Sequence, residues 1–231
     1  MKKSISFIIL ILVFALATTW AETAKEWYEK GISAMKIGYY NVAIKCFEKA
    51  LSINPNDSKS HLNIGLIYSK KGMPKEAISY YKKAISIDPD FAKAHYHLGA
   101  VYAEEGKLKK AISEFRKAIA INPNDADAHY SLGRAYFEKE MFEEAISEYK
   151  KTIAIDSNHA DTYHNLGSSY LKKGVNDVAA DYFYKACLLY LKKGERKGAL
   201  KSYESLKRTK SKELEKALFE KLYPDLNKKE K

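Results

Sequence analysis

Six histidines, two cysteines and 29 carboxylates are the side chains of this 231-residue chain that could hold a metal or move a proton. A zinc site needs three or four ligands meeting at one point, and the spacing here does not bring them together. His61, His95 and His129 recur every 34 residues, in a position that Trp27 and Tyr163 also occupy; a place shared with tryptophan and tyrosine is a packing place. His95 and His97, two apart, face different ways on a helix. His97 and His164 have no acidic or thiol partner at ligand spacing, and His159 adds none. Cys46 and Cys187 lie several repeats apart, beyond the roughly 7 Å between Cα atoms that a disulfide tolerates, and both fall in apolar helical stripes, as small buried thiols do. The chain has no G-x-S-x-G elbow and no glycine loop for phosphate. Its carboxylates fall mostly on exposed helix positions, away from any pocket that would perturb them. The expectation is a protein without catalytic residues, metal or cofactor.

The elements behind this pattern are short helices in tandem. Gly31, Gly65, Gly99, Gly133 and Gly167 stand at 34-residue intervals, each followed twelve residues later by Ala43, Ala77, Ala111, Ala145 or Ala179. Four residues before each glycine is Trp27, His61, His95, His129 or Tyr163, and three residues after the last four come Tyr68, Tyr102, Tyr136 and Tyr170. Spacings of three and four line one helix face, which defines a helix A. A second stripe, such as Ala111, Phe115, Ala118 and Ile119, defines a helix B. Gly38, Gly72, Gly106 and Gly174 suit short interhelical turns, and Pro55, Pro89 and Pro123 mark breaks between units. Such units bury their apolar faces only against their neighbours.

In order, His95, Leu98, Gly99, Tyr102, Ala111, Phe115 and Pro123 match the signature of the tetratricopeptide repeat family, which this chain resembles over five units from about residue 24 to 191. The resemblance implies an all-α, right-handed α-solenoid of helix-turn-helix repeats with C-terminal capping helices. It divides the chain into residues 1–21 (signal peptide or N-terminal anchor), 22–191 (five repeats), 192–223 (capping helices) and 224–231 (basic tail). Helix B of the fifth unit, lacking the closing proline, is expected to run on to Lys193. Ala199, Tyr203 and Leu206 are spaced like another helix B, and Leu214, Leu218, Phe219 and Leu222 form a last amphipathic segment that Pro224 stops.

The resemblance also implies a partner-binding groove, lined by the helix A positions that do not pack on helix B. One row is Tyr28, Leu62, Tyr96, Tyr130, His164; a second is Ile32, Leu66, Ala100, Arg134, Ser168; a third is Met35, Ser69, Ala103, Phe137, Leu171. Aromatic and aliphatic groups there suit the anchors of a peptide or helix, although Tyr96 and Tyr130 also adjoin the packing interface. A polar row, Asn63, His97, Ser131 and Asn165, runs beside them, and the family's peptide-holding asparagines match at Asn63 and Asn165. The family's Lys/Asn carboxylate clamp is missing, because Tyr28 with Ile32, and Leu62 with Leu66, stand in its place. Along the groove edge Lys25, Lys59 and Lys93 are succeeded by Asp127 and Asp161, and Lys36 and Lys70 by Glu104 and Glu138, which would orient a bound segment.

Composition and the ends of the chain narrow the function classes. Lys2 and Lys3 precede an apolar run at 5–17 and the closing Thr18, Thr19, Trp20 and Ala21, the form of a secretory signal cut before Glu22; the alternative is an uncleaved anchor over residues 4–21. Both put the repeats on the exported side, periplasmic in the first case and membrane-anchored in the second. The net charge of +11 is uneven: residues 22–191 carry 24 basic and 22 acidic side chains, and 192–231 carry 14 and 7. Nucleic acid is therefore not an expected partner of the repeats, and an anionic polymer or lipid surface could meet only the basic end. The leading reading is an exported, non-enzymatic scaffold that holds a peptide or helix of an envelope protein in its groove. The alternatives are a membrane-anchored assembly factor and an anionic-polymer or nucleic-acid binder acting through the tail.

Overall fold

A computed structural model describes residues 22–223. The stretches expected to be signal and basic tail, and the stop at Pro224, lie outside the described residues. Among those described are twelve α-helices and no strand. The fold is all-α, helical hairpins repeated in the manner of a solenoid.

The chain divides into two compact units, the first ending at Ala94 and the second beginning at His95. The first holds α1 (Ala24–Lys36), α2 (Tyr40–Ile53), α3 (Ser58–Lys70) and α4 (Pro74–Ile87). The second is built from α5 (Ala92–Glu104), α6 (Leu108–Ile121), α7 (Ala126–Glu138), α8 (Phe142–Ile155), α9 (Ala160–Lys172), α10 (Asn176–Lys192), α11 (Arg196–Lys207) and α12 (Lys212–Leu222). Up to α10, odd-numbered helices are helix A and even-numbered ones helix B.

The recurrent glycine is explained by what it touches. A Cβ on Gly133 of α7 would lie 2.6 Å from the ring of Tyr149 on α8, and the other four helix A glycines meet Phe47, Tyr81, Phe115 and Phe183 in the same way. Each aromatic ring is buried to within 1% of its surface. Burying one such ring stabilises the fold by about 1.5–3 kcal/mol, and it requires the close approach that only glycine permits. The first unit closes around Phe47, Ile64 and Ile67, with Tyr28 and Tyr68 packed against them. The second has a core that runs from Phe183 and Tyr190 through Tyr203 and Leu206 to Leu218 and Leu222.

Side-chain caps fix the starts of four of the helix A segments. Thr23 forms a reciprocal capping box with Glu26 at α1, Asp57 accepts from Lys59 and Ser60 N–H at α3, and Asp125 accepts from Ala128 N–H at α7. At α9 a histidine takes the role: His159 Nδ1 accepts from the Thr162 N–H at 3.3 Å. A cap of this kind contributes about 1 kcal/mol.

The last two helices depart from what their spacing suggests. Ala199, Tyr203 and Leu206 are set out like a B-type helix, but α11 packs against both α9 and α10, the place of a helix A in a further hairpin, and α12 packs beside it. Gly198 allows this, since a Cβ there would come within 2.5 Å of the Tyr190 ring. Local periodicity reports which face is apolar, not which neighbour it meets.

Candidate functional site

In the first unit, Tyr28 lies half-buried with its ring 5.6 Å from Phe47, and its hydroxyl accepts from Asn63 Nδ2 at 3.1 Å. Leu62 and Asn63 are buried, at 6% and 8% exposure, while Leu66 is half-buried. The Asn63 amide is therefore already engaged by its own scaffold, and a ligand could use only its remaining N–H and carbonyl oxygen. Beside Tyr28 a cavity of about 410 Å³ opens between Lys25, Glu29, Asp57 and Lys59.

The second unit repeats the arrangement three repeats later. Asn165 Nδ2 donates to the Tyr130 hydroxyl at 3.1 Å, and the Tyr130 ring lies 4.7 Å from His159 and 6.1 Å from Tyr149. Burial, followed by the nearby Asp161 carboxylate, raises the Tyr130 phenol above its ordinary pKa. Burial does the same more strongly to Tyr149, whose hydroxyl has no hydrogen-bond partner among the described residues. Tyr96 is half-buried, 5.9 Å from Phe115 and 5.1 Å from His97. Phe137 meets Phe142 edge-on at 5.5 Å, leaving it half-buried, and Arg134 is exposed, with Glu138 Oε1 3.5 Å from its Nη2. Between α5 and α7, Tyr96, Ser131 and Arg134 share a cavity of about 380 Å³ whose floor is Phe115 and whose walls include Ala100, Ala103 and Ala135.

His164 does not belong to this surface. It is buried, with its Nδ1 3.0 Å from Ser202 Oγ of α11 and its ring 5.3 Å from Phe183. Burial lowers its pKa to about 4. The expectation that it lines a groove is corrected by the C-terminal hairpin, which covers the helix A face of the fifth repeat; Tyr190, donating to Asp161 Oδ1 at 2.6 Å, ties the same corner.

The packing histidines carry carboxylate partners from helix B. His95 Nδ1 lies 2.6 Å from Glu114 Oε2, and His129 Nδ1 lies 2.6 Å from Glu148 Oε2, with Lys117 and Lys151 each 2.8 Å from the other carboxylate oxygen. His129 Nε2 also faces the Pro123 carbonyl at 3.0 Å. The Pro123 carbonyl can only accept, so Nε2 is the donor in that contact. Two carboxylates expected on exposed faces are thus largely buried. The signal was present: glutamate stands 19 residues after His95 and His129, whereas Tyr182 stands 19 after Tyr163, its ring tilted 39° at 6.3 Å. His61, next to Tyr80 at 6.0 Å, has no such carboxylate, and burial lowers its pKa. Among the described residues no three His, Cys, Asp or Glu side chains group closely enough to hold a metal ion, and no helix is long and apolar enough to cross a membrane.

Tetratricopeptide repeat models match residues 24–57, 58–91, 80–113 and 160–193, and a TPR repeat model matches 101–140 and 133–174. The chain belongs to the tetratricopeptide repeat family. Family membership makes it a protein-interaction scaffold. A crystal structure of MamA is 34% identical, covering 71% of this chain and 96% of its own, with a TM-score of 0.67. MamA residues 41 to the end from Desulfovibrio magneticus RS-1 are 24% identical, covering 74% and 97%, with a TM-score of 0.69. YrrB, described as a TPR protein with an unusual peptide-binding site, is 24% identical, covering 78% and 92%, with a TM-score of 0.66. At 24% identity the last two speak for the fold alone. No curated protein sequence matches the chain.

Proposed function

We propose that the helix A surface of the second unit holds a peptide or helix from a protein partner, and that the chain does so outside the cytoplasm, on a protein of the cell envelope. The observation that carries the first part is the group of half-buried Tyr96 and Ser131 with exposed Arg134 around an open cavity. A closed core would have filled that space. Aromatic and arginine side chains that keep part of their surface in water are the commonest anchors of protein interfaces. That YrrB bears a peptide-binding site on the same fold supports the choice of ligand. Export rests on Lys2, Lys3 and the apolar run that follows.

Crosslinked capture from the cell envelope tests the binding face. Tyr96→Ala with Tyr130→Ala should lower capture about tenfold, the scale of losing interface anchors, while helical circular dichroism persists. Tyr130→Phe separates the hydroxyl bond to Asn165 from the ring itself. Equal capture by wild type and the double variant would remove the binding face from consideration. Mass spectrometry of the mature N-terminus reads the address: a chain beginning at Glu22 supports export with cleavage, whereas an intact Met1 in the cytoplasmic fraction defeats it.

A further inference from the structure

The cavity between α5 and α7 has a composition that selects among partner segments. We infer that this cavity is the anchor site for a single lysine or arginine side chain of the bound segment, a role that rests on the binding face proposed for the second unit. Its existence has a cause in the sequence. In the two rows facing outward from helix A, the other repeats carry Ile32, Leu66, Arg134 and Ser168, or Met35, Ser69, Phe137 and Leu171, but the third repeat carries Ala100 and Ala103. Two alanines one turn apart leave a hole that the neighbouring helix does not fill, because Ala135 faces it from α7.

The chemistry of the hole is that of a cation site with a greasy approach. Half-buried Tyr96 lines it with an aromatic ring, whose face attracts ammonium and guanidinium groups, above the buried ring of Phe115. The alanine walls suit the methylene stem of a long basic side chain, which gains from apolar cover while its head stays wet. At the rim stand two carboxylates, Glu104 and Glu138, against one guanidinium, that of Arg134. Arg134 is engaged with Glu138 through a 3.5 Å contact that is about half exposed on both sides, and Glu104 makes no ion pair among the described residues. The rim therefore has one negative charge to spare. A glutamate or aspartate anchor would meet two carboxylates against one guanidinium already engaged by Glu138, and a purely apolar anchor would leave water as the partner of Glu104. Only a basic side chain satisfies walls, rings and rim together.

The test uses the immobilised full chain and pools of short synthetic peptides with uncharged, randomised flanks around one fixed central residue: Lys, Arg, norleucine or Glu. The Lys and Arg pools should be retained about tenfold better than the norleucine and Glu pools. Glu104→Gln with Glu138→Gln should abolish that preference, and Ala100→Leu, which installs the residue that stands in the second repeat, should lower retention of the Lys and Arg pools to the norleucine level. Both variants are checked for wild-type helical content and melting. If all pools bind equally and Tyr96→Ala with Tyr130→Ala releases them, the binding face stands and the basic anchor is overturned. A preference that survives loss of both glutamates overturns it too, by placing the recognition elsewhere. If the wild type retains no pool better than the double-tyrosine variant, the binding face itself fails and the anchor falls with it.

Discussion

His129 and Glu148 meet at 2.6 Å inside the second unit, with Lys151 2.8 Å from the second carboxylate oxygen. Removing one partner of a buried pair leaves the other desolvated and unanswered, which costs several kcal/mol, whereas exposed pairs contribute little. Glu148→Ala should therefore lower stability by about 3 kcal/mol in chemical denaturation, while Glu143→Ala, which loses a mostly exposed contact to Lys173 and one first-turn charge of α8, should cost less than about 1 kcal/mol. His164 predicts a pH dependence. Burial holds its folded pKa at about 4, against 6.5 for the free side chain. As pH falls below 6.5 the unfolded chain takes up a proton that the folded chain resists until near 4, so stability drops across that window, by on the order of 3 kcal/mol. Subtracting the urea midpoints of His164→Gln from those of wild type isolates this slope from the other titrating groups; parallel pH profiles would contradict it. The histidine spacing marks packing positions, and the 19-residue offset to Glu114 and Glu148 marks their partners, but nothing periodic marks Ser202, because that contact joins the fifth repeat to a helix outside the repeat pattern.

Hairpin turns were legible wherever glycine marked them. Gly38, Gly72, Gly106 and Gly174 all adopt positive φ after helix A, and in the fourth repeat Glu140 does so at 59°. The chain bends identically there, with Glu140 N–H bonding to the Phe137 carbonyl at 2.9 Å, as Gly72 N–H bonds to Ser69 at 2.9 Å. A side chain in this region carries a steric penalty that glycine escapes. Glu140→Gly should thus raise stability, by up to about 1 kcal/mol, read as a higher denaturation midpoint. A lower midpoint would mean that the glutamate makes a contact worth more than the strain. The turn was absent from the sequence pattern because its conformation is imposed by the two helices it joins.

For the molecule as a whole, the C-terminal hairpin decides where the binding face can extend. Helix α11 lies over His164 and the fifth repeat, so the open positions of the second unit are those around Tyr96, Ser131, Arg134 and Phe137. Cys187 sits in the core shared with α11, fully buried, and burial pushes its thiol up to about 11. In a Cys46→Ser background the intact chain should resist a thiol reagent, and removal of residues 195–231 should make Cys187 reactive while returning His164 to near-neutral titration by NMR. Continued protection after truncation would show that α9 and α10 cover the thiol without help.

Sequence alone determined the repeat, its length, the helix A and helix B faces and the family, because each depends on contacts that recur at fixed spacing and so leave a periodic trace. It also marked Tyr96, Arg134 and Phe137 as surface candidates. Only the tertiary structure decided which of those positions stay open, which asparagines are already bonded, and where two alanines leave a hole. Those outcomes depend on what one helix presents to the next, and a neighbour's side chain, such as Ser202 over His164 or Ala135 across from Ala100, is not written in the period of the helix it covers.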